Sequence, residues 1–520
     1  MQVKTLRLSA FYSSRSVIND TFAVSNFIKL QIKINMVEEN YKESYNKEMA
    51  SFVEQKRQAV SLANSVGNLL LNHAVELVLF RNDLADTSVS EKIQLIDYSK
   101  NVVNKPVSIQ DVAELALEME SMDLAPAKID IGKLAANWME QTEIASKREF
   151  LDSILAGFIL DKDNTVEPRD VILYGFGRIG RLVARELIKQ FGKGQQLRLR
   201  AIVTRSDDDN TIIKRAALLR NDSVHGKFAG TITEDLENKQ LIINGQRVLM
   251  LGTKDAGTMD YTAYGITNAL VIDNTGVYTS KEALSIHMKA NGVAKVLLTA
   301  PGSEIPNIVY GINHFDLDLD NTDIFSAASC TTNAISPVLK VVNDHLGVEQ
   351  GHVETVHAYT NDQNLLDNMH KKPRRGRSAA INMVITSTGA GKAVAKVIPE
   401  LAGKLTANAV RVPTPNGSLA ILKLKVTKKT TVEGVNAMMR KAALNGNLVN
   451  QINYQMDPEL VSNDIIGNTC CSVYDSNATL VHTDGLNIVL YAWYDNEFGY
   501  TKQVIRLAKY VAKVRRLHYY

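Results

Sequence analysis

The run Val171-Ile172-Leu173-Tyr174 leads straight into Gly175-Phe176-Gly177-Arg178-Ile179-Gly180 and then into RLVARELIKQF. An apolar run, a glycine turn and an amphipathic stretch in this order read as strand, tight turn and helix. Gly175 allows the turn, Gly177 lets the backbone approach a pyrophosphate, and Gly180 lets the helix lie close on the strand. Unpaired N–H groups at the helix start suit phosphate oxygens. The glycine pattern alone is weak, but here it stands in the context it requires, so dinucleotide binding outweighs a mere turn. The runs Leu199 to Thr204, Leu270 to Asp273 and Lys295 to Ala300 continue the alternation. Together they imply a doubly wound parallel sheet over about residues 168–329.

Downstream, Cys330 stands in AASCTTN (Ala327 to Asn333), directly before the helical stretch AISPVLKVVNDHLG. A lone cysteine is usually a small buried hydrophobe. This one sits between polar Ser329 and Thr331 at a helix start, where backbone N–H groups favour a thiolate. His357 follows in VETVHAYTNDQ. It comes within reach of Cys330 if the intervening helix is followed by a strand running back. Most single histidines are satisfied core residues, but this context favours a base that forms an imidazolium beside the thiolate. A thiol, a base and a nicotinamide cofactor together suggest oxidation of an aldehyde through a thioester.

Around this centre, SLAILKLKVTK alternates with period two and NIVLYAWYD reads as a further strand. Residues 330–498 therefore read as an α+β catalytic domain with an antiparallel sheet. A helix over 499–516 is expected to return to the first sheet. Ahead of the glycine loop, residues 36–165 read as an all-α N-terminal extension. Helices are expected from Tyr41 to Phe80, from Ser88 with Glu91 completing a capping box, from Ser108 and from about Lys147. No cluster of reactive residues falls in this segment, so core packing or an interface is its default role. Residues 1–35 carry Lys4, Arg7, Arg15, Lys29 and Lys33 against one acid, Asp20. That suits an organelle transit peptide, although Met36 as the true start is the favoured reading.

The 520 residues allow two to four domains, and 59 basic against 56 acidic residues leave a net charge of +3. Nothing in that balance points to nucleic acid or a membrane surface as partner. Three cysteines argue against a disulfide framework, and adjacent Cys470 and Cys471 have no metal-ligand spacing. TSTGAGKAV (Thr386 to Val394) fails as a Walker loop but could cradle a phosphate with hydroxyls and backbone N–H groups. The basic run Lys371, Lys372, Arg374, Arg375 and Arg377 precedes it. Such runs are usually solvated, yet one or two members could turn inward to an anion.

Taken in order, GFGRIGR, DSVHG (Asp222 to Gly226), ASCTTN, HAYTNDQ, STGA, KVIPELAGKLT, RVPTP and WYDNEFGY resemble the phosphorylating glyceraldehyde-3-phosphate dehydrogenase family. The resemblance covers about residues 170–515 and leaves the extension outside the usual pattern. It implies that Cys330 is the nucleophile and His357 the base. It implies that Thr360, Asp362 and Arg411 hold the substrate's own phosphate. Ser329, Thr331, Arg375, Thr388 and Gly389 would hold the attacking inorganic phosphate. For the cofactor it implies Gly175, Gly177, Arg178, Ile179, Gly180, Thr275, Gly276 and Asn496. It further implies a cytoplasmic homotetramer acting on glyceraldehyde 3-phosphate, with no metal.

The chain departs from the pattern at three places. Tyr174 replaces the usual Asn before the first glycine. The second strand ends Thr204-Arg205, without the acid that holds the ribose of NAD, and an Arg there could meet the 2′-phosphate of NADP. Asn368 and Met369 stand where strictly NAD-dependent members carry Leu-Pro. NAD or NADP is therefore open, with a lean to dual or NADP use. Rival readings are erythrose-4-phosphate dehydrogenase, which hydrolyses the same thioester, and a scaffold or regulatory protein on the dehydrogenase fold.

Overall fold

The computed structural model describes residues 17–160 and 167–520, so part of the expected leader and the end of the extension lie outside the described residues. The glycine loop joins the strand Arg169–Tyr174 to the helix Arg178–Ile188. Six strands pair in parallel in the order Ile324–Ser326, Val293–Leu298, Ala269–Asp273, Arg169–Tyr174, Leu197–Thr204, Gln246–Gly252. Gln240–Ile243 and Ile232–Asp235 extend this sheet antiparallel. Alternate residues of each central strand serve opposite cores. Val171, Leu173 and Ile202 lie in one buried cluster, Ile172, Ala201 and Val203 in another. Burial on both faces explains why these strands are unbroken apolar runs. The strand order reverses at Arg169–Tyr174, which opens a crevice at its carboxyl end, where the glycine turn lies.

The second large sheet runs Val384–Thr386, Leu405–Val412, Val348–Ala358, Ser418–Val426, Asn487–Tyr494, Ser472–Asp475, Ile452–Gln455. It is mixed rather than wholly antiparallel. Val348–Ala358 lies parallel to Leu405–Val412, and Ile452–Gln455 parallel to Ser472–Asp475. Period-two alternation reports which face a residue takes and is silent on the direction of the neighbouring strand. The helix Cys330–Leu346 packs beneath this sheet, with Ile335, Val338, Leu339 and Val342 fully buried.

The extension is α/β, which corrects the all-α expectation. Its first helix spans Val17–His73 and ends at Ala74, whose φ of 56° lies in the left-handed region. Val75–Leu79 then forms a strand rather than the end of a helix reaching Phe80. It pairs with Asn82–Asp83 on one side and, in parallel, with Ala127–Asp130 on the other. A short apolar run without a preceding Gly or Pro cannot be told from buried helix by periodicity. The expected helices are present as Val89–Tyr98, with the Ser88–Glu91 capping box, Ile109–Met119 and Lys147–Ile154. Ile131–Glu140, capped by Asp130, adds another.

The helix expected over 499–516 spans Phe498–Val511 and does return to the first sheet, burying Val504, Leu507 and Ala508. It stops short because Lys513 turns the chain at a φ of 57°. Leu517–Tyr519 then joins the extension's sheet, parallel to Ala127–Asp130. Arg516, buried, donates to the carbonyls of Ala74 and Gly194, and Lys502 bridges Glu186 at 2.8 Å and Asp83 at 3.9 Å. The extension is thus fastened to the helix that follows the last site residues.

Candidate active site

Ser329 caps the helix Cys330–Leu346: its Oγ accepts the N–H of Thr332 at 3.0 Å. Cys330 is therefore the first helical residue, where backbone N–H groups are unpaired. The preceding Ala328 has a φ of 55°, held by the Tyr500 hydroxyl donating to its carbonyl at 2.9 Å and by its own N–H donating to Ser326 Oγ at 3.0 Å. A non-glycine residue in that region costs of order 1–3 kcal/mol and persists only when its surroundings fix it. Here the turn aims the thiol into a cavity of about 620 Å³.

His357 comes from the strand Val348–Ala358, which runs back beside the helix as the spacing required. Its Nε2 lies 3.7 Å from Cys330 Sγ. Nδ1 is 2.6 Å from the Ala358 carbonyl oxygen and 3.0 Å from Arg411 Nη1, which itself donates to that carbonyl at 2.9 Å. Two acceptors do not sit 2.6 Å apart without a proton between them, so Nδ1 carries the hydrogen. That leaves the Nε2 lone pair facing the thiol. Burial first, then the Arg411 guanidinium, pushes His357 down to about 3, so the imidazole is neutral. Burial also pushes the thiol above its ordinary value, with Arg411 pulling the other way. Both shifts work against the thiolate–imidazolium pair expected from sequence, and Arg411 beside the site is the group that favours the thiolate.

Gly177, Arg178, Ile179, Thr275, Ser329, Cys330, His357, Thr360 and Asn496 line the cavity. Around them, Arg411 reaches Thr360 Oγ1 at 3.3 Å, Thr360 donates to Asp362, and Asp362 pairs with Arg375, whose Nε donates to Thr386 at 3.1 Å. Burial works to raise the Asp362 carboxyl, but Thr360 and Arg375 hold it below the usual carboxylate range. Thr388 and Gly389 stand at the start of the helix Ala390–Ala395, outside the lining. Thr331 is turned away from the cavity and shares a hydrogen bond with the buried Tyr494 hydroxyl at 3.1 Å. Arg205 is exposed, also outside the lining.

The glycine turn fits a pyrophosphate. Gly175 has a φ of 89°. A Cβ on Gly180 would lie 2.5 Å from the Gly175 carbonyl oxygen, whereas one on Gly177 would meet nothing within 4 Å, leaving its backbone open to the cavity. Several residues with structural claims on the site were not singled out from sequence. Ser418 donates to Asn496 Oδ1 at 2.9 Å and accepts the Ala358 N–H at 3.1 Å, tying the two sides of the cavity together. Arg178 pairs with Glu497 and with Asp222, and His225 lies 3.0 Å from Glu497. The motifs DSVHG and WYDNEFGY carried that network's signal; Ser418 had none, being one polar residue in an alternating strand.

Residues 169–281 match the glyceraldehyde 3-phosphate dehydrogenase NAD binding domain, and residues 329–496 match the C-terminal domain of the same enzyme. A glyceraldehyde-3-phosphate dehydrogenase-like protein of Pseudomonas aeruginosa is 47% identical over 454 residues, covering 86% of this chain and 98% of that protein. The chain belongs to the glyceraldehyde-3-phosphate dehydrogenase family. Glyceraldehyde-3-phosphate dehydrogenase of Clostridium pasteurianum is 41% identical over 352 residues, 66% of this chain and 99% of its own length. Glyceraldehyde-3-phosphate dehydrogenase 1 of Bacillus subtilis is 41% identical over 340 residues, 65% of this chain and 97% of its own. The Pseudomonas match is longer than the stretch from Arg169 to the last residue, so that family member shares part of the extension. Among the described residues no helix is long and apolar enough to cross a membrane, and no three His, Cys, Asp or Glu side chains gather as a metal site would need.

Proposed function

We propose that this chain oxidises glyceraldehyde 3-phosphate to 1,3-bisphosphoglycerate through a thioester on Cys330. The observation that carries the reading is the Nε2 lone pair of His357, 3.7 Å from Sγ, at a helix start opening on the cavity below the glycine turn. His357 takes the thiol proton and sulfur attacks the aldehyde carbon. The backbone N–H of Cys330 and the protonated imidazole stabilise the oxyanion. His357 then holds the proton of the hemithioacetal hydroxyl as hydride leaves that carbon. A nicotinamide held beside Asn496 would supply the acceptor for that hydride. Inorganic phosphate attacks the resulting thioester, the C–S bond breaks, and acyl phosphate departs from the thiolate.

In this reading Thr360, Asp362 and Arg411 bind the substrate phosphate, and Ser329, Thr331, Arg375, Thr388 and Gly389 the attacking one. Thr331 fills that role through its backbone, since its hydroxyl is engaged by Tyr494. Asn496, oriented by Ser418, holds the nicotinamide carboxamide; Gly175, Gly177, Arg178, Ile179, Gly180, Thr275 and Gly276 hold the rest of the cofactor. The exposed Arg205 is free to meet a 2′-phosphate, so NADP serves as well as NAD. The working divisions are an extension over 36–165, a cofactor domain over 168–329 and a catalytic domain over 330–498, in a cytoplasmic homotetramer.

The test is cofactor reduction with glyceraldehyde 3-phosphate and NAD or NADP, with and without inorganic phosphate. We expect phosphate-dependent turnover, an acyl adduct on Cys330 when phosphate is withheld, and a loss of roughly 10⁴-fold or more in Cys330→Ser. Turnover that ignores phosphate would assign thioester hydrolysis instead. An unlabelled Cys330 would overturn the reading, and a hundredfold preference for NAD would remove the role of Arg205.

A further inference from the structure

Among the described residues of the helix Val17–His73, those that the rest of the chain covers lie toward its C-terminal end. Every residue from Glu39 to Arg57 is exposed, whereas Ala59, Leu62, Val66 and Leu69 are buried in the extension's core. The exposed stretch is not polar all round. Tyr41, Tyr45, Met49, Phe52 and Val53 stand between 44% and 73% exposed. Tyr45, Phe52, Ala59 and Val66 follow one another at steps of seven, which keeps them on one face. Ala59 and Val66 on that face are the ones the core covers. The apolar stripe therefore continues out of an established interface into solvent, for roughly 28 Å at the helical rise.

A lone helix gains little stability from propensity and depends on packing of its apolar face. The charges beside the stripe say what packs there. Its first half carries the acids Glu39, Glu43 and Glu48, with Lys42 and Lys47; its second half carries Lys56 and Arg57, with Glu54. Lys56 stacks over Phe52 at 5.4 Å, and among the described residues Arg57 pairs with its own neighbour Glu54 at 2.6 Å, an exposed contact of little strength. An antiparallel copy of the same helix would set Glu39 and Glu43 beside Lys56 and Arg57 of the other. A parallel copy would set like charges together.

We propose that the stretch Glu39 to Arg57 is an interface on which the same helix of a second copy of this chain lies antiparallel. The inference is independent of the reaction assigned above. Photo-crosslinking on the full chain tests it, with p-benzoylphenylalanine in place of Tyr45 and an equal mixture of isotopically light and heavy protein. Light-to-heavy crosslinked peptides should join position 45 to the second half of the stretch on the other copy, and the probe placed at polar Lys47 should give none. The double substitution Met49→Glu and Phe52→Glu should lower the crosslinked yield at least about tenfold, the factor that ~1.4 kcal/mol of lost association supplies. Aldehyde oxidation by that variant should be unchanged, which shows that the body has kept its fold. Crosslinks confined to one copy, joining position 45 to position 45, or landing on the body would overturn the proposal. So would flotation of the unmodified chain with anionic vesicles that the double variant loses.

Discussion

His357 and Asp130 are both buried polar groups at strand ends, yet their surroundings use them differently. Asp130, in the extension, accepts the N–H groups of Phe80 at 2.8 Å, Arg81 at 3.1 Å and Lys133 at 3.1 Å, and pairs with the Arg81 guanidinium at 2.7 Å. Burial works to raise its carboxyl, and these partners oppose that. Nothing of Asp130 is left over for a ligand. His357 spends Nδ1 on the Ala358 carbonyl and keeps Nε2 for the thiol and the cavity. The contrast separates polar residues that close a fold from those that a fold leaves open. By that measure Asp130 closes the extension's fold, whereas the cavity beside Cys330 is where a buried polar group is left open.

Exchanging the two roles gives the largest expected effects. His357→Asn should lower aldehyde oxidation by about 10²–10⁴-fold, the usual worth of a general base, with the melting profile little changed. The alkylation rate of Cys330 by iodoacetamide at neutral pH should fall in the same variant, because no lone pair remains to take the thiol proton. Asp130→Ala should do the reverse. It leaves the Arg81 guanidinium and three backbone N–H groups without their acceptor, at a cost of about 3–5 kcal/mol, read as a lower melting temperature. Turnover per folded molecule should persist. If His357→Asn destabilised the chain more than Asp130→Ala, the division would fail.

The same division decides what is legible in the amino-acid sequence. The residues proposed for chemistry sit in local motifs, so Cys330, His357 and the glycine turn stand out from flanking letters alone. The parallel sheet was legible because burial on both faces makes strands such as Val171 to Tyr174 wholly apolar. Residues that act across long separations were not legible. Val75–Leu79 became a strand because Ala127–Asp130 and Leu517–Tyr519 pair with its sheet, and no periodicity near Val75 encodes partners that far away. Ser418 was hidden for the same reason: its claim on the site is a bond to Asn496. The shifts that burial imposes on Cys330 and His357 depend on depth, which sequence does not carry.

Glu186 tests the seam between the two regions. It lies in the helix after the glycine turn and bonds Lys502 at 2.8 Å and Lys189 at 2.9 Å, while Lys502 reaches toward Asp83 of the extension. Burial alone would raise its carboxyl; Lys502 and then Lys189 instead hold it down at about 2, below the 4.5 of a free glutamate. A depressed carboxylate stabilises the fold fully above the free value and loses that contribution as pH falls from about 4.5 toward 2. At about 1.4 kcal/mol per unit this is of order 3 kcal/mol. Melting temperatures of the wild type and Glu186→Gln should therefore differ most at pH 6 and converge as pH approaches 2. A gap that stays constant with pH would mean that packing, not charge, joins the regions there.

The smallest effect lies at the extension's edge. Ser88 Oγ accepts the Glu91 N–H at 3.2 Å and Glu91 accepts the Ser88 N–H at 2.6 Å, which satisfies two donors at the start of Val89–Tyr98. Ser88→Ala removes one of these bonds and should cost about 1 kcal/mol, the usual worth of a helix cap. Because the cap touches only its own helix, the loss should appear as faster amide exchange in residues 89–92. Exchange at Cys330 and His357 should stay as in the wild type, and turnover should not move. A fall in turnover from so local a change would show that the extension's helices and the cavity share one conformational equilibrium, and Asp130 and His357 could then no longer be assigned to separate duties.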